Sequence, residues 1–465
     1  MRMKVQIIVE QNDENPIVDE VICLERSDLS PETLGLTLKE GKEILGSLQK
    51  GMVNSQINEY MGQYQVCSNC GIERPLKDTS REIVLRTVFG KLRIPNPRLY
   101  TCKCENNKMS SFSPLSRLLP ERTSPEFLYL QTKWASLMSY GMTVDLLEEV
   151  LPLKTNAVSI IDNTHRVGKR LDEELGEEKF SYIEGCPNEW AKLPIPEERI
   201  TVGIDGGYVH GRDNENRKAG VFEVIVGKSM KDEGNKRFGF VNGFDERAKR
   251  RLYETLAGQG LQMNQDITFL SDGGDTVRDL QLYLSPQAEH ILDWFHITMR
   301  ITVLRQMAKG FSKIKDLQDL DKNFERIKWF LWNGNVFSAL QLLEEITTDI
   351  EMYENEENKA NQKLKKLNKT VCEFEGYISS NRNFITNYRD RYYYGESIST
   401  GFVESTVNEV ISKRMKKKQQ MRWTKQGAHL LLQVRIKTLN GELKEIFKRW
   451  YPKMVSSDKE MEIAS

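Results

Sequence analysis

The sequence predicts a multidomain α+β protein whose mixed α/β core is interrupted by an all-α insertion, and three observations carry that expectation. Residues 199–300 alternate strand-like and helix-like runs, the stretch from about Thr302 to Asn387 is almost wholly helical in pattern, and four clustered cysteines bracket a predicted hairpin. At 465 residues the chain is too long for one ordinary domain, and at about 150 residues per domain roughly three cores are expected.

Taken in order, residues 1–66 read as a strand (KVQIIVE), an acidic loop and one amphipathic helix, LTLKEGKEILGSLQKGMVNSQINEYM. Residues 67–112 read as a zinc-ribbon-like segment, with IVLRTV and KLRIPNPRLYTC joined into a hairpin at Phe89-Gly90-Lys91. Residues 113–185 carry three helical runs broken at Gly141 and Pro152-Leu153, a helix-turn-helix-like pattern. From 198 to 301 the runs ITVGIDGGYVHG, AGVFEVIVGKS, RFGFVNGF, DERAKRRLYETLAGQG, ITFLSDGG, TVRDLQLYL and HILDWFHI spell three strands, helix, strand, helix, strand. That is the element order of an RNase H-like core. The insertion spans 302–395, with Trp329 and Trp332 read onto its apolar stripe, and 396–452 returns to core helices. There Val403, Val407, Val410, Ile411 and Met415 recur at spacings of three and four, so this helix is expected to pack on the sheet. Residues 453–465 read as a disordered tail.

Composition excludes several classes. No apolar run approaches the ~20 residues that a bilayer crossing needs, and residues Met1–Glu10 lack the features of a secretory leader. A cytosolic location is expected. With 67 basic and 67 acidic residues the formal charge is zero, so attraction to a polyanion would have to come from a local patch.

Phosphodiester chemistry needs carboxylates from separate elements that converge on divalent cations, with two ions roughly 3.5–4 Å apart. Asp205 ends an apolar quartet and precedes Gly206-Gly207; Asp272 ends ITFL-Ser and precedes Gly273-Gly274. A glycine beside the acid lets a phosphate approach the main chain, although an Asp-Gly at a strand end is by itself more often a turn. The third acid is expected from the later core helix. Glu404 is best placed, with Glu396 and Glu409 as rivals, and it could also serve only to complement the positive helix end.

IDGGYVHG, FLSDGGDT, DWFH and GFVESTVNEV together resemble bacterial insertion-sequence transposases of the DDE class, the ISKra-type group with mutator-like features. The spacing agrees, with Asp272 lying 67 positions after Asp205 and Glu404 132 after Asp272. The resemblance covers roughly residues 199–435. It implies that Asp205, Asp272 and Glu404 hold catalytic Mg²⁺ or Mn²⁺, two ions in all. Asp293-Trp294-Phe295-His296 matches the Asp form of the family's Cys/Asp-x-x-His motif, placing His296 among the catalytic residues, with a buried structural histidine as the plain alternative. Asp275 and Asp293 are decoys for the second acid.

Cys67-x2-Cys70 and Cys102-x-Cys104 offer four thiolates for a closed structural zinc site; Cys23, Cys186 and Cys372 stand alone. Lys413, Arg414, Lys416, Lys417, Lys418, Arg422 and Lys425 form a basic cluster suited to salt-sensitive backbone contact. Sequence reading would fall to the last predicted helix before residue 185, through Asn156, Ser159, Asn163, His165, Arg166 and Lys169. The expected function is therefore metal-dependent cleavage and strand transfer by a DNA transposase acting on element ends and target duplex, as a homodimer or larger assembly. The competing classes are an RNase H-like nuclease that cuts without joining and a catalytically inactive DNA-binding protein.

Overall fold

The computed structural model describes residues 1–10, 17–105, 110–196, 198–213, 215, 218–231, 234–285, 287–314, 317–357, 362–416 and 421–454. Lys417 and Lys418 of the basic cluster, and the predicted tail from residue 455 onward, lie outside these residues. The chain forms two compact units, 1–167 with 441–465, and 168–440. No helix among the described residues is long and apolar enough to cross a membrane.

In the first unit β1 (Arg2–Val9) and β2 (Ile17–Glu25) pair antiparallel. The second strand corrects the expected acidic loop: Glu20 is paired across the hairpin with Lys4 at 2.7 Å, and such cross-strand charge pairs let acids sit in a strand. Helix α1 (Leu38–Gln65) starts two residues later than predicted, at a capping box made by Thr37 and Glu40, and runs four residues further. Then come β3 (Leu76–Asp78), β4 (Glu82–Thr87), β5 (Gly90–Pro95), β6 (Arg98–Tyr100) and β7 (Ser111–Phe112). Thr87 pairs with Gly90, so the β4–β5 loop is Val88-Phe89, one residue earlier than predicted. Short helix α2 (Pro114–Leu118) leads to α3 (Pro125–Leu137), α4 (Tyr140–Val150) and α5 (Ala157–Glu174). The Ser124 and Ser139 side chains cap α3 and α4, each accepting a main-chain N–H that the first turn leaves unpaired.

The second unit holds α6 (Pro187–Trp190) and a five-stranded mixed sheet of β8 (Ile200–His210), β9 (Val221–Lys231), β10 (Gly234–Val241), β11 (Ile267–Ser271) and β12 (Glu289–Leu292), in the order β10-β9-β8-β11-β12. β8, β9 and β10 run antiparallel in sequence; β11 lies parallel to both β8 and β12. Between strands come α7 (Ala248–Ala257) and α8 (Asp275–Leu282), and beyond them α9 (Trp294–Ala308), α10 (Leu320–Trp332), α11 (Val336–Glu357), α12 (Gln362–Ser380), α13 (Tyr388–Tyr393) and α14 (Gly401–Val407). One π-helical turn (Asn408–Ser412) and α15 (Lys413–Met415) follow, then α16 (Lys425–Leu439); α17 (Leu443–Trp450) belongs to the first unit.

Alternation along β8 decides what each face of the sheet does. Ile200, Val202 and Ile204 pack into a core with Leu252 and Leu256 of α7 and Leu280 of α8. Gly203, Asp205 and Gly207 point the other way, toward the segment from α14 to α15. The helical stretch is not a separate body from the sheet edge: Leu270, Ile291 and Leu292 of β11 and β12 share one core with Ile297, Phe324, Leu343, Phe374 and Tyr388. It also begins earlier than predicted, at Trp294, because Asp293 caps α9 by accepting the Phe295 N–H. Of the two tryptophans assigned to the stripe, Trp332 packs on Trp294 with centroids 5.0 Å apart, whereas Trp329 is exposed. The buried stripe of α10 is Leu320, Phe324, Ile327 and Leu331.

Candidate active site and cysteine cluster

Three acids stand in a row across adjacent parallel strands, Asp205 midway along β8 and Asp272 and Asp293 just past the ends of β11 and β12. Leu270 pairs with Gly203 and Ser271 with Leu292. Continuing those registers by one or two residues sets Asp272 between Asp205 on one side and Asp293 on the other. Asp205 is half-buried and its Oδ1 accepts the Gly206 N–H at 2.7 Å. Burial pushes its carboxyl up; the Gly206 N–H and His296 oppose this, while Asp272 and Asp293 raise it further. Asp272 is exposed, and its Oδ1 accepts the Gly274 N–H at 3.1 Å across Gly273, whose φ of +89° favours glycine.

Asp293, treated as a decoy, is fully buried and saturated with donors. It accepts from Phe295 N (2.8 Å), His296 Nδ1 (2.7 Å) and Thr400 N (3.0 Å), and from the Thr400 hydroxyl in a short contact. Burial raises its pKa, but the His296 and Thr400 bonds outweigh that and hold it down. Thr400 is the N-cap of α14, so Asp293 ties the end of β12 to the start of the helix that carries Glu404. His296 is thereby oriented with Nδ1 on Asp293. Its pKa is raised, first by that hydrogen bond against the cost of burial, and further by Asp293, Asp205 and Asp272.

Glu404 is exposed in the first turn of α14 and has no side-chain hydrogen bond or ion pair among the described residues. Its rivals are engaged elsewhere: Glu409 with Arg237 at 2.9 Å, and Glu396 with Arg391 at 2.7 Å and Arg199 at 3.4 Å. The three acids Asp205, Asp272 and Glu404 are nevertheless not gathered to within 4.8 Å of one another. Among the described residues that closeness is reached by Cys67, Cys70, Cys102 and Cys104.

Helix α14 lies so close to β8 that a Cβ on Gly203 would overlap Val403 and Phe402. Gly203→Ala is therefore expected to cost about 1–3 kcal/mol through overpacking. Urea denaturation would read the loss; an unchanged midpoint would mean that α14 does not press on the strand.

One residue of the basic cluster joins the site. A Cβ on Gly207 would lie 3.4 Å from Lys416 Nζ, so this half-buried ammonium sits beside Asp205 on the same face. Burial lowers its pKa and Asp205 counteracts that. The sequence marks Lys416 as one of a basic cluster suited to backbone contact, but the spacing does not show that it turns toward Asp205. Arg414 is the converse case: it is fully buried with its guanidinium 5.2 Å from the Trp423 ring centre, and so is withdrawn from any surface contact. In α5, Asn163 donates to Gln131 Oε1 at 2.6 Å, and the exposed Asn156 caps the helix, its Oδ1 accepting Ser159 N at 2.8 Å. Ser159 and His165 are half-buried, while Arg166 and Lys169 are exposed. Burial lowers the His165 pKa.

The cysteine cluster is built by two loops. Gly71, with φ +73°, closes the first, in which Gly71 N donates to Cys67 O at 2.9 Å. The Asn69 N–H, against burial and together with the Cys70 N–H, holds the Cys67 thiol at about 7. Sulfur separations are 3.4 Å (Cys67–Cys104), 3.3 Å (Cys70–Cys102) and 3.5 Å (Cys70–Cys104). Thiolates ~2.3 Å from a tetrahedral ion lie about 3.8 Å apart, so this set could bind zinc with a small outward shift. Glu105 anchors the second loop, accepting from Arg74 at 2.5 Å and from Cys102 N at 3.3 Å. Purified protein is expected to carry one zinc per chain by elemental analysis, and Cys67→Ser with Cys104→Ser to lose it; equal zinc in the variant would remove the cluster as its site.

No family model and no curated protein matches the sequence. Among solved structures, the crystal structure of NurA is 14% identical, covers 54% of this chain and 73% of that one, and has a TM-score of 0.11, a value at which the likeness carries no argument.

Proposed function

We propose that the chain is a DNA transposase of an insertion sequence, cleaving element ends and joining them to target DNA at Asp205, Asp272 and Glu404. The observation that supports this most is the register that sets Asp205 and Asp272 side by side on neighbouring parallel strands. Strand order β10-β9-β8-β11-β12 with only β9 reversed is consistent with an RNase H-like core.

The donor set suits a hard divalent cation in kind: oxygen ligands on separate elements, one of them a partly buried carboxylate raised by burial and by its acidic neighbours. Bound there, Mg²⁺ or Mn²⁺ would neutralise the transferring phosphate and activate the attacking oxygen. Asp205 and Asp272 would hold it from the strands and Glu404 from the helix flank. Asp293 works at one remove, fixing the His296 ring and the start of α14. Protonated His296 can donate from Nε2 to a phosphate oxygen, and Lys416 supplies a second positive charge beside Asp205. The four thiolates would keep the N-terminal hairpin folded around zinc, outside the chemistry.

The test is incubation of the full chain with duplex carrying its element's ends, target DNA and Mg²⁺, scored for cut and joined products. Joined product supports the transposase; cutting without joining moves the assignment to a nuclease on the same acids; neither, under conditions that retain DNA binding, leaves a binding protein.

A further inference from the structure

We infer that Arg300 and Tyr377 form a clamp for the DNA backbone beside the acid row, a deepening that rests on the phosphodiester reading above. Helix α9 leaves the site from Asp293, and His296 and Arg300, four residues apart, share one of its faces. Arg300 is exposed, makes no ion pair among the described residues and lies about two helical turns beyond Asp293. Its guanidinium instead stacks 4.2 Å from the ring centre of Tyr377 on α12. Tyr377 is itself fixed, its hydroxyl donating to the main-chain oxygen of Asp272 at 3.1 Å.

The arrangement joins a cation to the loop that bears the second acid. A guanidinium lying on an aromatic face keeps its N–H donors in plane and aimed outward, the geometry that takes a phosphate by two hydrogen bonds. Stacking also removes much of the rotamer freedom that an exposed arginine would lose on binding. Met299 and Val303, 48% and 46% exposed on neighbouring positions of the same helix, give the sugar edge an apolar surface to lie against. The ligand is a DNA strand whose scissile phosphate sits over Asp205 and Asp272 while Arg300 holds a neighbouring phosphate. Lys416 borders the row at its other end, beside Asp205, so the strand crosses the acid row from β12 toward β8.

The experiment measures binding of the full chain to a fluorescein-labelled DNA duplex of arbitrary sequence by anisotropy across a salt series, with single-turnover cleavage in parallel. Arg300→Ala is expected to weaken binding about tenfold at low salt and to reduce the slope of log affinity against log salt by about 0.9. Arg300→Lys keeps the slope and lowers the cleavage rate, because the charge survives and the planar fork does not. Tyr377→Phe keeps the ring, so binding holds while cleavage slows through the freed Asp272 loop. Arg326→Ala, an exposed arginine on α10, should match wild type in both. A folded Arg300→Ala protein with wild-type affinity and slope overturns the clamp while leaving the phosphodiester reading intact; a wild-type chain that neither binds nor cuts DNA overturns both.

Discussion

Asp205→Asn is expected to lower metal-dependent cleavage by about a thousandfold, ~4 kcal/mol of transition-state stabilisation at 1.36 kcal/mol per decade. The magnitude follows from position. Asp205 is the partly buried member of the row, flanked by Gly203 and Gly207 under α14 and neighboured by Asp272 and Asp293. An amide there keeps size and hydrogen bonding but removes the charge that would hold a cation. The substitution should also raise thermal stability slightly, because a carboxylate destabilised by burial and like charge disappears. Loss of cleavage with a melting temperature equal to or above wild type therefore separates a chemical role from a folding one. Cleavage within a few-fold of wild type would take Asp205 out of the site.

Asp172→Ala is expected to be the most destabilising single change, about 3–5 kcal/mol at neutral pH, the range for removing one partner from a buried charge network. Asp172 on α5 meets Arg247 and Arg251 in short contacts, and His429 Nε2 at 3.2 Å. Arg251 also donates to Gln433 Oε1 at 2.9 Å and is itself only 6% exposed, so the network pins α5 and α16 onto α7. Burial pushes the Asp172 pKa up, but His429 and Arg251 override it and hold it far below the ordinary value. A carboxyl depressed in the folded state stabilises above its unfolded value, near 3.9, and that stability is lost as pH falls through the folded value. Urea melts at pH 7 and near pH 3 should show the gap between wild type and variant narrowing in acid. A gap independent of pH would mean that Asp172 acts through packing alone.

How much of this could be read from the residues differs by kind of feature. Asp205 and Asp272 were legible because each ends an apolar run and precedes two glycines, a local pattern. Their adjacency followed only from the expected element order, since it depends on β11 pairing with β8 across more than sixty residues. Asp293 looked like a rival acid; only Thr400, 107 residues away, reveals that its oxygens are already spoken for. Gly203 passed unnoticed because a missing side chain gives no signal until Val403 and Phe402 are seen to fill its place. The run from Lys413 to Lys425 read as one surface, yet Arg414 turns inward to Trp423 and Lys416 toward Asp205; a π-helical turn just before them shifts the register that periodicity assumes. Glu404 was legible by spacing and gains by elimination, through the ion pairs that occupy Glu396 and Glu409.

Crystals soaked in Mn²⁺ and measured at the manganese edge put the central claim to its most direct test. An anomalous peak is expected between the carboxylates of Asp205 and Asp272, with Glu404 turned toward it, and is expected to vanish in Asp205→Asn. Manganese bound elsewhere on the chain, with no peak between these two carboxylates, would contradict the assignment of Asp205 and Asp272 as its ligands.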